Sequence, residues 1–337
     1  MIQLSDLSPI TSPLPWHARE WEKLSAQLRD EQLPHALLLA GGQYTGKSEL
    51  ALALSRLLLC SQAEGALNCG QCHSCDLTAA GSHGDFRWLQ PEEKSRVIKI
   101  DQIREMIRFS SKTAGFGLRK VIVLAPADSM NVNAFNALLK SLEEPATDTY
   151  IILICNRMDA VPATIRSRCQ ILRLPVPNIE ACLKWLDDTT GDRGESSKLL
   201  SFAEGRPLLA QQLFYSGGAE AFAARHFGLQ ALLAGSISVP EGVALWADSD
   251  TATFLDEVAL GLQRVLGSLS TKQLRSRQGR AAFCLSDEVT QLQRAVSAGA
   301  NPNKQLVMDA LLSKLARELG AGILGDTIPT HKGAGDL

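Results

Sequence analysis

The run Gly41-Gly-Gln-Tyr-Thr-Gly46-Lys47-Ser48 constrains this chain more than any other segment. It fits G-x-x-x-x-G-K-[ST], and its surroundings suit it. The apolar stretch His35-Ala-Leu-Leu-Leu-Ala40 precedes it as a strand, and Glu49 to Leu59 follows it with the apolar content of a buried helix. A loop in that position can wrap a polyphosphate with successive backbone N–H groups, and the helix N-terminus adds positive potential. Gly41 and Gly46 frame the loop, Lys47 would reach the terminal phosphates and Ser48 a magnesium ion. A glycine turn that matches by chance is the weaker reading, because strand, loop, Lys-Ser and helix agree. Phosphate binding does not by itself imply hydrolysis.

Two more strand-like runs follow, Lys120-Val-Ile-Val-Leu-Ala125 and Tyr150-Ile-Ile-Leu-Ile-Cys155. Between them Asn133 to Glu144 reads as a helix that Pro145 terminates. Apolar strands alternating with helices predict an α/β module with a parallel sheet covered on both faces. After Leu174-Pro-Val-Pro177 the strand signals stop. Phe254 to Leu266 and Gln305 to Leu319 carry helical apolar spacing, so the second half is expected to be all-α. The proline-rich stretch at 175–177 and Ser216-Gly-Gly218 are the expected boundaries. They give domains over 1–175, 176–217 and 218–325, with a loose tail over 326–337.

Hydrolysis in proteins with this loop needs a carboxylate at the end of a second strand to hold magnesium, and an adjacent acid to orient water. Here the strand runs out into Leu124-Ala-Pro-Ala-Asp128, with apolar residues or proline where those acids would stand. Asp128 lies three residues late, about 10 Å along an extended chain, and reads as a turn or helix-start residue.

Cys60, Cys69, Cys72 and Cys75 give C-x8-C-x2-C-x2-C directly after the first helix. Four soft ligands at that spacing suit a closed, tetrahedral, structural zinc site with no open position for catalytic water. A redox dithiol would need two thiols only, and unrelated buried cysteines rarely cluster so tightly. His73 and His83 lie nearby and read as surface residues.

Arg166 and Arg168 stand in a short turn beyond the third strand, and a solvated surface pair is their ordinary reading. Together with Asn136-Ala-Leu-Leu-Lys-Ser-Leu-Glu-Glu-Pro145, Ser167-Arg168-Cys169, the four-cysteine insertion and the phosphate loop, they make the chain resemble the bacterial clamp-loader branch of the AAA+ family. The resemblance is strongest from Pro34 to Leu174. Within that branch it is similar to the delta-prime subunits rather than the ATP-hydrolysing gamma/tau subunits, which carry Asp-Glu where this chain has Ala125 and Pro126. Gly205-Arg-Pro-Leu208 resembles the lid segment that carries a sensing arginine in the motor subunits, here displaced or lost. Asn301 to Leu312 is similar to the last collar helix of the delta-prime branch.

The resemblance implies an AAA+ nucleotide-loop module with a zinc insertion over 60–75, a small helical lid and an all-α collar. It implies a ring with gamma/tau and delta subunits of DNA polymerase III, which loads a sliding clamp onto primed DNA. Arg168 would act there as an arginine finger in trans on the adjacent gamma/tau ATPase, and the cradle would hold ATP or ADP without turnover, with magnesium left open. An active gamma/tau-like ATPase is the first alternative. A zinc module that grips nucleic acid is the second, against which the nearly uncharged loop Ser61 to Asn68 speaks.

Composition excludes other classes. With 45% hydrophobic and 21% charged residues over 337 positions and a formal net charge of -2, the chain is neither disordered nor strongly basic. Strong autonomous DNA binding is therefore not expected from bulk charge, although Arg96, Lys99, Arg104 and Arg108 form a local basic group. Met1 to Pro15 does not read as a secretory leader, and no stretch reaches the roughly 18 apolar residues of a membrane span. The expected location is the cytoplasm.

Overall fold

The computed structural model of the chain describes residues 4–63, 65–92, 95, 97–116, 119–297 and 299–320. The chain divides into two compact units, Met1–Tyr215 and Ser216–Leu337.

The first unit is built on a five-stranded, all-parallel sheet: β1 (Ala36–Ala40), β2 (Phe86–Leu89), β3 (Lys120–Leu124), β4 (Thr149–Cys155) and β5 (Gln170–Arg173), in the order β2-β3-β4-β1-β5. In the centre, every residue of β1 and β3 is buried, as parallel strands covered on both faces require. Because side chains alternate across a strand, the same runs feed two cores. Leu37, Leu39, Val121, Val123, Ile152 and Ile154 pack on one face against helix α2 (Lys47–Leu59), below α1 (Ala18–Arg29) in chain order. On the opposite face Leu38, Ile122, Leu124, Ile151 and Leu153 pack with Ile103 and Met106 of α4 (Ile100–Ser110) and with Phe135 and Leu138 of α5 (Val132–Glu143). Each fully buried side chain of this kind contributes about 1.5–3 kcal/mol. The Asn131 side chain caps α5 by accepting from the Ala134 N–H at 2.9 Å.

Sequence patterning finds the three central strands within a residue or so of their ends and does not find β2 as a strand. Phe86-Arg-Trp-Leu89 is four residues long, buries only Phe86, and exposes Arg87 at the sheet edge. The other edge, β5, repeats the pattern with Leu172 alone buried. An edge strand faces solvent, so it lacks the unbroken apolar run that marks a central one.

The short helices α3 (His73–Ala79) and α6 (Ala163–Arg166), then α7 (Ile179–Thr190), α8 (Arg193–Phe202) and α9 (Pro207–Ser216), complete the element order up to the division. The segment over 176–217, expected above to be a lid, lies almost wholly within the first unit.

The second unit is all-α: α10 (Ala219–Leu233), α11 (Val239–Ala244), α12 (Thr251–Ser268), α13 (Thr271–Leu274), α14 (Arg277–Ser297) and α15 (Lys304–Leu319). Its core gathers Trp246, Phe254, Val258, Leu262, Leu285, Leu312 and Leu315. The buried indole of Trp246 donates to Glu257 at 2.8 Å, and the same carboxylate takes a two-pronged grip from Arg225 at 2.8 Å on each oxygen. The expected loose tail over 326–337 lies outside the described residues.

Candidate functional site: a phosphate loop beside a four-cysteine module

The carboxyl ends of β1, β3 and β4 lie side by side, and ligand sites of open α/β sheets form at such ends. The loop after β1 meets this edge with Gly41, whose N–H donates to Cys155 O at 3.3 Å. Gly46 starts α2 with φ +90°, and a Cβ there would fall 2.4 Å from Leu14 Cδ1 and 2.9 Å from His17 Cε1. Both conformation and space therefore require glycine. Two bonds fix the loop: Thr45 Oγ1 donates to Gly42 O at 2.9 Å, and Trp16 Nε1 donates to Thr45 O at 2.9 Å.

Lys47 is buried, and its Nζ donates to Gly42 O, folding the ammonium back onto its own loop. Burial lowers its pKa to about 8, against the opposing pull of Asp128 and Glu49, while Arg206 lowers it further. Arg206 stands just before α9, in the segment that resembles the lid. Gly46, Lys47 and Ser48 border a cavity of about 500 Å³; Gly41 stands behind it at the strand exit and is not in its wall.

Ala125 and Pro126 line the β3 side of that cavity, where hydrolytic acids would have to stand. Asp128 sits in the single turn Ala127–Ser129. Its carboxylate is already engaged: Oδ1 accepts from the Asn156 N–H at 2.9 Å, and Oδ2 lies 3.6 Å from Arg157 Nε. Glu49 is the one carboxylate among the described residues that borders the cavity, and burial pushes its carboxyl group up. Sequence reasoning passed over Glu49, hidden inside an apolar helix, and Asn156. The position of Asn156 directly after a central parallel strand was a usable signal.

The four cysteines come together. Cys60 caps the end of α2, Cys72 precedes α3, Cys75 lies within it, and the four sulfurs all fall within 4.8 Å of one another. Cys60 to Cys72 and Cys69 to Cys75 are each 3.9 Å. A tetrahedral zinc with bonds of 2.3 Å needs sulfurs about 3.8 Å apart, so the cluster could hold such a metal. The Cys69 N–H points at Cys60 Sγ (3.3 Å) and Asn68 Nδ2 at Cys75 Sγ (3.4 Å), the outer hydrogen bonds that ligating thiolates use. His73 is exposed, as expected, whereas His83 is not a surface residue. It is buried, its Nδ1 accepts from the Asp85 N–H at 3.1 Å, and its Nε2 lies 3.3 Å from Ser74 Oγ. Burial lowers its pKa, so the neutral ring braces α3 rather than joining the ligands.

An N-terminal strap ties the cysteine module to the phosphate loop. The Leu7 N–H donates to Ala79 O at 3.1 Å, and the Thr11 N–H to Asn68 Oδ1 at 3.0 Å. Beneath the strap Arg56 of α2 is fully buried, and its guanidinium donates to Ser8 O, Pro9 O, Thr78 Oγ1 and Cys75 O at 2.6–3.4 Å and to Thr11 Oγ1. Gly70, at φ +72°, leaves room for Pro9 and Ile10. The strap then reaches Leu14 and His17 against Gly46. Replacing Arg56 by Met strands those oxygens without a donor, and the expected loss is on the order of 3 kcal/mol in denaturant unfolding. An unchanged unfolding midpoint would show the strap to be dispensable.

Arg168 follows α6. Its Nη2 pairs with Glu143 at the end of α5, its Nη1 donates to Thr164 O at 2.9 Å, and about a third of the side chain stays exposed. Glu143 belongs to the Leu-Glu-Glu-Pro run, and sequence reading did not recognise it as the partner of Arg168. Arg166 turns inward, its Nε buried without a partner among the described residues.

The profile of the family described as "DNA polymerase III, delta subunit" matches residues 16–178. The DNA polymerase III subunit delta' of Pseudomonas aeruginosa is 35% identical over 326 residues, covering 91% of this chain and 98% of that one. That of Escherichia coli K12 is 34% identical over 229 residues, covering 68% and 67%. Among solved structures, a DNA polymerase III gamma subunit-related protein from Thermotoga maritima covers 88% of this chain and 99% of its own at 19% identity, with a TM-score of 0.46. With a relative of that identity aligned over nearly its whole length, the chain belongs to the family of DNA polymerase III delta' subunits.

Proposed function

We propose that the chain is a clamp-loader subunit that grips a nucleoside triphosphate without cutting it and lends a cation to its neighbour. The observation that carries this reading is the β3 rim of the cavity, Ala125 and Pro126, beside a complete Gly46-Lys47-Ser48 cradle. Gly41, Gly46, Lys47 and Ser48 hold ATP or ADP through backbone amides, the ammonium and the hydroxyl. No free carboxylate stands at the end of β3 to organise magnesium and water. Arg168 faces the ATP site of an adjacent gamma/tau subunit, with delta completing the ring that places a sliding clamp on primed DNA.

In this reading residues 1–175 are the AAA+ module and 176–217 its lid, which brings Arg206 toward the loop. Residues 218–325 are the collar. Cys60, Cys69, Cys72 and Cys75 hold structural zinc. No helix among the described residues is long and apolar enough to cross a membrane, which is compatible with work in the cytoplasm.

The test on the lone chain is binding set against turnover. A fluorescent ATP analogue binds, Lys47→Ala abolishes that binding, and no phosphate is released. Magnesium-dependent turnover lost in Lys47→Ala would instead make the chain a gamma/tau-like motor.

Affinity also depends on pH. Below pH 8 the free loop carries its ammonium; as pH rises through about 8 the proton leaves, and binding must take it back. Affinity is expected to fall by up to about tenfold per pH unit above that point, until the pKa of the bound state is reached. A profile flat from pH 7 to about 10 would remove Lys47 from contact with phosphate.

A further inference from the structure

The four-cysteine module is joined to the N-terminal strap through the residue next to its most accessible thiol. Cys60, Cys72 and Cys75 are buried, whereas Cys69 is half-buried on the loop between α2 and α3, near the exposed Gln71. Asn68, one position earlier, is buried. Its Nδ2 donates to Pro9 O at 2.8 Å and points at Cys75 Sγ at 3.4 Å, and its Oδ1 accepts the Thr11 N–H at 3.0 Å. One side chain therefore holds the strap and touches the sulfur that lies 3.9 Å from Cys69 Sγ.

A disulfide brings its sulfurs to about 2.0 Å, so joining Cys69 to Cys75 closes roughly half of their separation. Cys75 is held by its surroundings. It lies within α3, the neighbouring Ser74 is braced by His83, and its carbonyl accepts from Arg56 Nη2 at 3.4 Å. Cys69 is tied less: its N–H points at Cys60 Sγ at 3.3 Å, and Gly70 follows it at φ +72°. The movement therefore falls on Cys69 and carries Asn68 with it, away from Pro9 and Thr11. Cys60 and Cys72 lie equally close, but both are buried and neither adjoins Asn68 in the chain.

We propose that the module is a thiol switch: a peroxide oxidises Cys69 and Cys75 to a disulfide, which withdraws two of the four metal ligands and releases the strap from the nucleotide loop. The Cys69 thiolate attacks one peroxide oxygen; the S–O bond forms as the O–O bond breaks, and hydroxide leaves. The Cys75 thiolate then attacks the sulfenic sulfur, the S–S bond forms, and a second hydroxide leaves. Two electrons pass from the sulfurs to the peroxide, and two protons from solvent turn the hydroxides into water. Release reaches the loop because the strap continues to Leu14 and His17, which pack on Gly46. The effect on nucleotide rests on the proposed cradle; the release of the strap does not.

The test uses the full, zinc-loaded chain with Cys284→Ser, which removes the exposed thiol of the second unit. Hydrogen peroxide is expected to form the Cys69–Cys75 disulfide, mapped by peptide mass spectrometry, and to free zinc to a colorimetric chelator. It should also speed hydrogen exchange at the Thr11 amide while the β1 and β3 amides stay protected. Affinity for a fluorescent ATP analogue should fall by about tenfold, within the usual range of coupling between two sites. A dithiol reductant with added zinc should restore every readout. Asn68→Ala keeps the four thiols: its disulfide still forms, but its Thr11 amide exchanges fast before and after oxidation, and its affinity no longer responds. Four results overturn the switch: a different first pair, Thr11 protection that survives the disulfide, sheet amides that open with it, or an Asn68→Ala chain that responds as the wild type does. A reduced chain that binds no nucleotide would strike the proposed cradle instead, and exchange at Thr11 would still decide the switch.

Discussion

In the proposed ring, Arg168→Ala is expected to lower ATP turnover at the proposed interface with a gamma/tau subunit by about 10³–10⁵-fold, the usual worth of an arginine finger. The loss belongs to the neighbour, since charge spreads over the equatorial oxygens of the transferring phosphoryl group and a planar guanidinium neutralises it best. Lysine at 168 restores charge without the fork and is expected to recover only part of the rate. The ion pair of Arg168 with Glu143 adds a second arm. An exposed pair of this kind is worth only about 0–1 kcal/mol of stability, so Glu143→Gln leaves folding almost unchanged. It loosens the aim of the guanidinium, and turnover should fall by a smaller factor than in Arg168→Ala. The measurement is single-turnover hydrolysis in complexes where only this one interface retains a competent site. Full DNA-stimulated turnover with Arg168→Ala, interface by interface, would return Arg168 to the status of a surface residue.

What the sequence made legible, and what it hid, follows from the range of each interaction. The phosphate loop and the cysteine spacing are local: Gly46, Lys47 and Ser48 are consecutive, and the ligand set spans 60–75, so short patterns carry them. The central strands declare themselves because both faces of the sheet are buried, Leu37, Val121 and Ile152 on one and Leu38, Ile122 and Leu153 on the other. The edge strand β2, the burial of His83 and the pairing of Glu143 with Arg168 depend on residues distant in the chain. The same is true of the strap. Nothing in Ser8-Pro-Ile-Thr11 announces that Arg56, 45 to 48 positions on, will bind it. The position of Asp128 along the chain was readable, but not that Asn156 and Arg157 would occupy its oxygens. The acids absent after β3 were visible as residues. That the cavity wall is left without a free carboxylate there could be stated only once Asp128 was placed.

Removing metal from the four-cysteine module is expected to produce the largest change in stability. The cluster has little hydrocarbon core of its own: the buried group consists of Cys60, Cys72 and Cys75 with Cys69 against them. Structural zinc in small modules supplies about 10–16 kcal/mol at pH 7, comparable with the 5–15 kcal/mol that stabilises a whole domain. The sheet has separate cores, so the response to a strong chelator should be local opening of the module followed by release of the strap, rather than immediate global unfolding. Opening withdraws Cys75 O and Thr78 Oγ1 from Arg56, and freeing Leu14 and His17 loosens the packing on Gly46. Nucleotide affinity should therefore fall together with the melting temperature. Burial pushes the Cys60 thiol up to about 12 and raises that of Cys75, while at Cys72 burial is outweighed by hydrogen bonds from Ser61 and Cys75, which lower the thiol to about 6, so metal must displace protons from the first two to bind. Apparent zinc affinity should accordingly rise with pH, by up to about tenfold per unit for each proton released. Metal analysis of the purified chain should return one zinc, and Cys72→Ser should reproduce the chelated state without chelator. A chain that carries no metal and melts identically with and without chelator would leave these four thiols as core packing alone.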